Sequence, residues 1–336
     1  MDEGNDMKVL ITGGAGFLGR RLAKKLLRLG KLRNATGVEE NIVSLVLLDI
    51  VPVEGFSDPR VTVASGDLAD QQVLNRVVDA ETASIFHLAA VVSSQAEADF
   101  DLGMRVNLDA ARLLFETCRH LGHCPRVVFT SSVAVYGGDL PEVVQDDTAL
   151  NPKSSYGIQK AIGELLLSDY SRRGFIDGRC LRLPTISVRP GKPNKAASSF
   201  ASGIIREPLN NEETVCPVTA DTRLWLLSPR QAIDSLIFGH ELGAEAFALN
   251  RVLNLPGVSV TVGEMIETLG RISGQAAVGK IRWESDPIVQ RIIGSWPRRW
   301  DMTRAHALGF KGDRDFASIV QAYIADDLNG TDQIFN

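Results

Sequence analysis

Cysteine is scarce: four residues in 336, Cys118, Cys124, Cys180 and Cys216, with no CxxC pair and no Cys/His spacing suited to a metal. That points to free thiols in a reducing compartment, not to disulfides or bound zinc. A basic excess is also missing. Lys and Arg total 36 against 41 Asp and Glu, a net charge of −5, so the chain lacks the footprint of a nucleic-acid surface. No apolar run approaches the ~18–20 residues of a membrane helix, and residues 1–6 are acidic where a signal peptide would be basic and then apolar. Internal repeats and low-complexity tracts are absent. The expectation is a cytoplasmic protein whose partners are neither nucleic acid nor membrane. With 44% hydrophobic and 23% charged residues it reads as globular, either one large domain with an appended lobe or two domains.

What the chain does carry is rhythm. From residue 7, short β-branched runs alternate with longer helical stretches, the pattern of a parallel sheet covered by helices on both faces. Strands are expected at residues 9–12, 43–49, 61–64, 84–88, 126–130 and 178–183. The second is nearly all apolar, as suits a central strand. Helices are expected over 17–29, 70–79, 99–120 and 155–173; in the first, Leu18, Leu22, Leu26 and Leu29 share a face and Gly30 is the stop. Residues 31–41 read as a polar loop. Together these predict an α/β fold, a doubly wound parallel sheet of Rossmann type, over residues 7–183. Beyond Pro184 the rhythm gives way to loops such as Arg189-Pro190-Gly191-Lys192-Pro193-Asn194. Residues 184–336 are expected to form mainly a smaller substrate-binding lobe over the C-terminal edge of the sheet, with some segments returning to the core.

Straight after the first strand, Gly13-Gly14-Ala15-Gly16-Phe17-Leu18-Gly19 opens a helix. Glycine there permits a tight turn, close approach of backbone N–H groups to a pyrophosphate and close packing of helix on strand, while the helix N-terminus favours negative charge. Dinucleotide binding follows as the expectation. Asp49, at the end of the second strand, is placed to hold ribose hydroxyls and would repel a 2′-phosphate, so NAD is expected in preference to NADP.

Tyr156 and Lys160 lie one helical turn apart and share a face, and Thr130-Ser131-Ser132 ends the fifth strand at the edge where a nicotinamide would lie. Taking a proton from an alcohol near neutral pH requires the Tyr pKa to come down by ~3 from its reference near 10, worth ~4 kcal/mol. A cation at ~4 Å supplies about that much at an effective dielectric of ~20, so Lys160 alone is expected nearly to suffice. Ser132 would hydrogen-bond the substrate oxygen.

With these residues in place, the chain resembles the extended short-chain dehydrogenase/reductase superfamily over essentially its whole length. The matching segments are 12–19, Gly66-Asp67-Leu68, His87-Leu88-Ala89-Ala90, Asn107, Thr130-Ser131-Ser132-Val133-Ala134-Val135-Tyr136-Gly137 and Tyr156-Gly157-Ile158-Gln159-Lys160. The resemblance implies that Asp67 and Leu68 contact the adenine side and that Leu88, Ala89 and Ala90 line the cofactor together with Gly13, Gly16, Phe17, Leu18 and Pro184. It implies that Asn107 supports the lysine through water, that Ser132, Tyr156 and Lys160 are catalytic, and that a helix-mediated homodimer forms. Members acting on nucleotide sugars usually carry Arg-Tyr/Phe-x-Asn-x-x-Gly-Pro after the sixth strand; here Arg182-Leu183-Pro184-Thr185 puts Thr185 where the Asn stands. Their later Arg-Asp-Phe-x-x-Val-Asp-Asp segment is matched only in part by residues 223–230, where Arg223 survives and Ser228-Pro229 should start a helix.

Within the superfamily, residues 135–144, 183–194 and 198–209 resemble the bacterial D-erythronate dehydrogenases. That resemblance implies NAD-dependent oxidation of the C2 hydroxyl of a four-carbon sugar acid. A small acid needs cations for its carboxylate, and Arg189, Lys192, Arg206 and Arg223 are candidates, with Arg298 and Arg299 beside Trp296 and Trp300 as further ones; Ser132, Tyr156 and Thr185 would complete the substrate contacts. Two other readings stay open. A nucleotide-sugar epimerase or dehydratase would recycle its NAD within each turnover. A non-catalytic NAD-responsive regulator on the same fold would be expected to have a broken Tyr/Lys pair, whereas both residues are present.

Overall fold

The computed structural model describes residues 6–192 and 196–328. Pro193 and Asn194 of the proline-rich loop, most of the acidic start and residues 329–336 of the C-terminal lobe therefore lie outside the described residues.

The main sheet contains β1 (Asp6–Thr12), β2 (Lys31–Arg33), β3 (Glu39–Asp49), β4 (Val61–Ser65), β5 (Thr82–His87), β6 (Arg126–Ser132), β7 (Asp177–Leu183) and, from much later in the chain, β11 (Val252–Asn254). Its order runs β11-β7-β6-β5-β1-β3-β2, with β4 also on β3, and every pairing is parallel except β2 with β3. The chain starts in the middle and winds outward both ways, so the carboxyl ends of β1 and β5 meet where the winding reverses, the usual ligand crevice of such sheets. Helix α1 (Phe17–Leu29) follows β1, burying Leu22, Ala23 and Leu26, and Gly30 ends it in the left-handed region at φ 68° with its N–H on Leu26 O. The predicted strands and helices all form, most of them extended or trimmed by a few residues.

Two expectations need correction. Residues 31–41 are not a loop but a β-hairpin: Leu32 and Ile42 are buried, Gly37 supplies the positive φ of the turn, and the Asn34 side chain accepts from Thr36 N and Val38 N across it. Two buried apolar residues flanking an Asn and Gly turn outweigh the polar composition. The helix expected over 99–120 is interrupted: a wider π-helical turn, Met104–Asp109, joins Phe100–Gly103 to Ala110–Leu121 and turns Asn107 inward, where it is buried.

After Pro184 the chain builds two small sheets. β8 (Thr185–Ile186) pairs with β10 (Arg223–Leu227), which pairs with β12 (Val258–Thr261); β9 (Thr214–Cys216) pairs with β13 (Ile281–Trp283). Their own apolar cluster includes Val188, Ile204, Ile205, Met265 and Phe316. The helix Pro229–Glu241, started by Ser228 and Pro229 as expected, returns to the main sheet instead. Buried arginines fasten it there. Arg179 donates to Gly239 O and Leu242 O (3.2 and 2.7 Å), Arg126 donates to His240 O (2.7 Å), and both pair with Asp177. Charged donors on the last carbonyls of a helix also offset its dipole. Among the described residues no helix is long and apolar enough to cross a membrane.

Candidate active site

At the crevice, the glycine loop is shaped by what a side chain would strike. Gly13 takes φ 74°, and a Cβ on it would stand 2.8 Å from Ala89 N; a Cβ on Gly19 would overlap Gly13 O. Gly16 is the N-cap of α1 and no side chain caps the helix, so its first-turn N–H groups stay available at the cavity wall formed by Gly13, Gly16, Phe17 and Leu18. This cradle fits the pyrophosphate of a dinucleotide. Asp49 ends β3 and accepts from Ala15 N (2.9 Å), which holds its carboxylate against the loop. Asp67 accepts from Ala69 N (2.9 Å) and pairs with Arg105, and Leu68 is buried behind it. Leu88 and Ala90 line the cavity, while Ala89 donates to Thr12 Oγ1 (3.3 Å) at the back of the loop.

Ser132 ends β6 and caps the short turn Val133–Val135 by accepting from Ala134 N (3.1 Å). The helix Ser155–Arg172 starts against that turn. Ser154 caps it by accepting from Gly157 N (3.2 Å), and Gly157 is required because a Cβ there would overlap Ala134 O. This close approach brings Tyr156 to the same cavity wall as Ser132. One turn on, buried Lys160 donates to Thr130 O (2.9 Å), with Nζ 4.7 Å from the Phe129 ring centre and 5.9 Å from that of Tyr156.

The electrostatics differ from the sequence expectation. Burial pushes the Tyr156 phenol up to about 12, opposed by the Ser132 hydrogen bond, and burial takes the Lys160 ammonium down to about 8. Lys160 gives one donor to a carbonyl and lies over the Phe129 ring, with the Tyr156 ring further off. In the protein alone, therefore, Lys160 does not nearly suffice. Desolvation disfavours both charged forms, and a further positive charge is needed to draw the proton off Tyr156. A stability prediction follows. The unfolded Lys160, at its ordinary value near 10.5, holds a proton that the native one has lost between about pH 8 and 10.5, so stability rises with pH through that window. Denaturant titrations from about pH 7 to 10 should show wild type gaining roughly 2 kcal/mol relative to Lys160→Met. Parallel pH profiles would show that the lysine is not desolvated.

Behind these residues lies a buried network that sequence reasoning missed. Glu164, one turn beyond Lys160, takes both ends of Arg182 (2.9 and 2.7 Å) and accepts from Ser131 Oγ (2.5 Å), and Arg182 also reaches Tyr136. Losing one partner of such a pair typically costs ~3–5 kcal/mol, so it stiffens the strand end that carries Ser132. Asn107 accepts from Val91 N (2.9 Å) and donates to Gln159 Oε1 (2.8 Å), tying the loop after β5 to the neighbour of the lysine.

One cavity of about 370 Å³ joins the glycine loop to Ser132, Tyr156, Lys160, Pro184, Thr185 and Arg189. The structure sorts the candidate cations. Arg189 lines this cavity. Arg223 lines a neighbouring one with Arg298 and Arg299 and faces Glu264, Lys192 is exposed and lines neither, and Arg206 is buried against Glu207. Trp296 and Ser198 line the cavity and were not singled out as contacts. Trp296 is invisible to local pattern because it arrives from a hundred residues away, although Ser198 stands in the run that carried the subgroup resemblance.

The NAD dependent epimerase/dehydratase family model matches residues 9–225. The D-erythronate dehydrogenase of Cupriavidus necator is 63% identical over 320 residues, covering 95% of this chain and 98% of that protein. The D-erythronate dehydrogenase of Haemophilus influenzae is 47% identical over 323 residues, covering 96% and 100%. Among solved structures, the nucleoside-diphosphate-sugar epimerase from Agrobacterium tumefaciens matches with a TM-score of 0.91 at 44% identity, over 97% of this chain and 96% of that one. The L-threonine dehydrogenase from Cupriavidus necator, at 24% identity and a TM-score of 0.82 over 95% and 99%, shares the fold.

Proposed function

Because this chain belongs to the NAD dependent epimerase/dehydratase family, we propose that it is an NAD-dependent dehydrogenase that oxidises the C2 hydroxyl of D-erythronate, or of a closely related sugar acid, to the 2-oxo acid. The observation that carries the reading is the near end-to-end 63% identity to a D-erythronate dehydrogenase, supported by a cavity in which Tyr156, Ser132 and Arg189 meet. Residues 13–19, Asp49, Asp67, Leu68, Leu88 to Ala90 and Pro184 would hold NAD. When bound, NAD⁺ supplies the hydride acceptor and the positive charge that Tyr156 needs. Ser132 donates to the C2 oxygen, Tyr156 Oη takes its proton as the C2 hydride departs, and protonated Lys160 stabilises the phenolate. Asn107 keeps the helix bearing Lys160 in register with the loop after β5. Thr185, in the place of the nucleotide-sugar Asn, faces the small substrate.

Arg189 is the residue proposed to hold the carboxylate. A bidentate, charge-assisted contact is worth ~1.5–3 kcal/mol, so Arg189→Ala should cut kcat/KM for D-erythronate by ~100-fold yet barely change that for its neutral amide. Lys192→Ala and Arg223→Ala should stay within about threefold. Equal losses on acid and amide would contradict the assignment. A panel of four- to six-carbon sugar acids with NAD⁺ tests the chain length.

The same proposal places the protein in the reducing cytoplasm, in sugar-acid catabolism, with the chain divided near residue 184 into a cofactor-binding part and a mainly substrate-binding part. It also includes a homodimer. On the 155–172 helix, Ile158 and Leu165 stand two turns apart with 47% and 68% of their surface exposed, apolar side chains that a second copy would cover. Leu165→Glu should shift the sedimenting species from dimer to monomer; unchanged sedimentation would move the interface elsewhere. The 44% identity to a structure named as a nucleotide-sugar epimerase supports a second reading, in which NAD stays bound and no NADH is released.

A further inference from the structure

Arg206 is read from sequence as a cation that could meet the substrate, but it does not line the cavity. It is buried, and its two amino groups have definite partners: Nη2 donates to Glu207 Oε1 (2.6 Å) and Nη1 to the main-chain oxygen of Arg189 (2.7 Å). One turn earlier on the same helix, Phe200–Leu209, Ser202 Oγ accepts from Arg189 N (3.0 Å). The helix also takes Ser187, whose Oγ donates to Ala201 O (3.0 Å). Both main-chain polar groups of Arg189 are thus engaged by side chains of one rigid element. The turn leading into that element, with Ala196 and Ser198, walls the same cavity. Resting on the dehydrogenase reading above, we propose that Arg206 is a positioning residue, which with Ser202 clamps the backbone of Arg189 so that its guanidinium meets the substrate carboxylate at a fixed place.

The chemistry favours this over packing alone. Burying a guanidinium is costly unless its donors are satisfied, and an apolar side chain would fill the same volume without that cost. Arg206 spends one amino group on neutralisation by Glu207 and the other on the carbonyl of the residue proposed to bind substrate. The local charge adds to the effect. Burial together with the nearby Arg206 holds the Arg189 pKa below its ordinary value. A desolvated cation next to a second cation gains more from an incoming carboxylate than a solvated one would. Preorganising it removes the ordering cost from substrate binding, so the benefit should appear in KM for the acid.

The experiment compares Arg206→Met, Arg206→Lys and Ser202→Ala in full-length enzyme, measuring kcat and KM for D-erythronate, NADH affinity by fluorescence, and Tm. Arg206→Met should raise KM about tenfold or more, with a smaller change in kcat and unchanged NADH affinity, because the loss falls on carboxylate placement. Arg206→Lys, which keeps a charged donor, should recover most of it. If Met at 206 prevents folding, Ser202→Ala carries the test with an expected rise of about threefold. An unchanged KM in the folded variants overturns the clamp. So does a parallel loss of NADH affinity and Tm that lysine does not rescue, since that is the signature of a merely structural residue. If wild type itself makes no NADH from D-erythronate, the parent reading falls and the clamp with it; intact wild-type turnover with insensitive variants removes the clamp alone.

Discussion

Replacing Tyr156 by Phe should lower kcat by about a thousandfold while leaving NADH affinity and fold intact, as expected for removing a positioned base worth ~10²–10⁴ in rate. Tyr156 lines the cavity beside Ser132, and among the described residues no hydrogen bond joins its side chain to the glycine loop, so its deletion leaves the cradle untouched. Ser132 would still orient the C2 oxygen, which accounts for the residual rate. In free energy the loss is ~4 kcal/mol at ~1.4 kcal/mol per decade. The measurement is single-turnover hydride transfer beside NADH fluorescence titration. Turnover within tenfold of wild type would remove Tyr156 from the chemistry.

Gly19→Ala should abolish useful cofactor binding. Its Cβ would overlap Gly13 O and stand 3.0 Å from Gly14 Cα, and both obstacles are backbone of the loop itself, unable to swing aside as a side chain could. Relieving the overlap displaces the turn that presents N–H groups to the pyrophosphate. Overpacking of this kind costs ~1–3 kcal/mol, so at its upper end NADH affinity falls by ~100-fold. Gly279→Ala is the control, since its Cβ would meet only main-chain oxygens, none nearer than 3.5 Å, and it does not line the cavity, so NADH affinity should be unchanged. Equal affinities in wild type and Gly19→Ala would mean the dinucleotide lies elsewhere.

The parts of the molecule legible in sequence are those whose chemistry is local. Gly13 to Gly19 must combine a turn, a helix start and a close strand contact within one short run, and Tyr156 and Lys160 share a face by helical geometry alone. The hairpin at 31–41 escaped because its polar residues mask the buried Leu32, whose pairing with Glu40 only the strand register reveals. Arg206 shows the opposite limit. As a residue type it looked like a substrate cation, and only the juxtaposition of its helix with the segment after β8 turns it inward to a carbonyl. Charge was misjudged for the same reason: the Tyr156 and Lys160 spacing is visible, but the Thr130 carbonyl and Phe129 ring that occupy the ammonium are not.

The measurement that bears most directly on the whole account is NADH formation by the purified wild-type enzyme given excess NAD⁺ and D-erythronate, followed over many turnovers, with UDP-glucose in a parallel sample. The account predicts one NADH released per acid oxidised, a 2-oxo acid as product, and no change in the UDP-glucose sample. Conversion of UDP-glucose without net NADH, with D-erythronate left untouched, would contradict it.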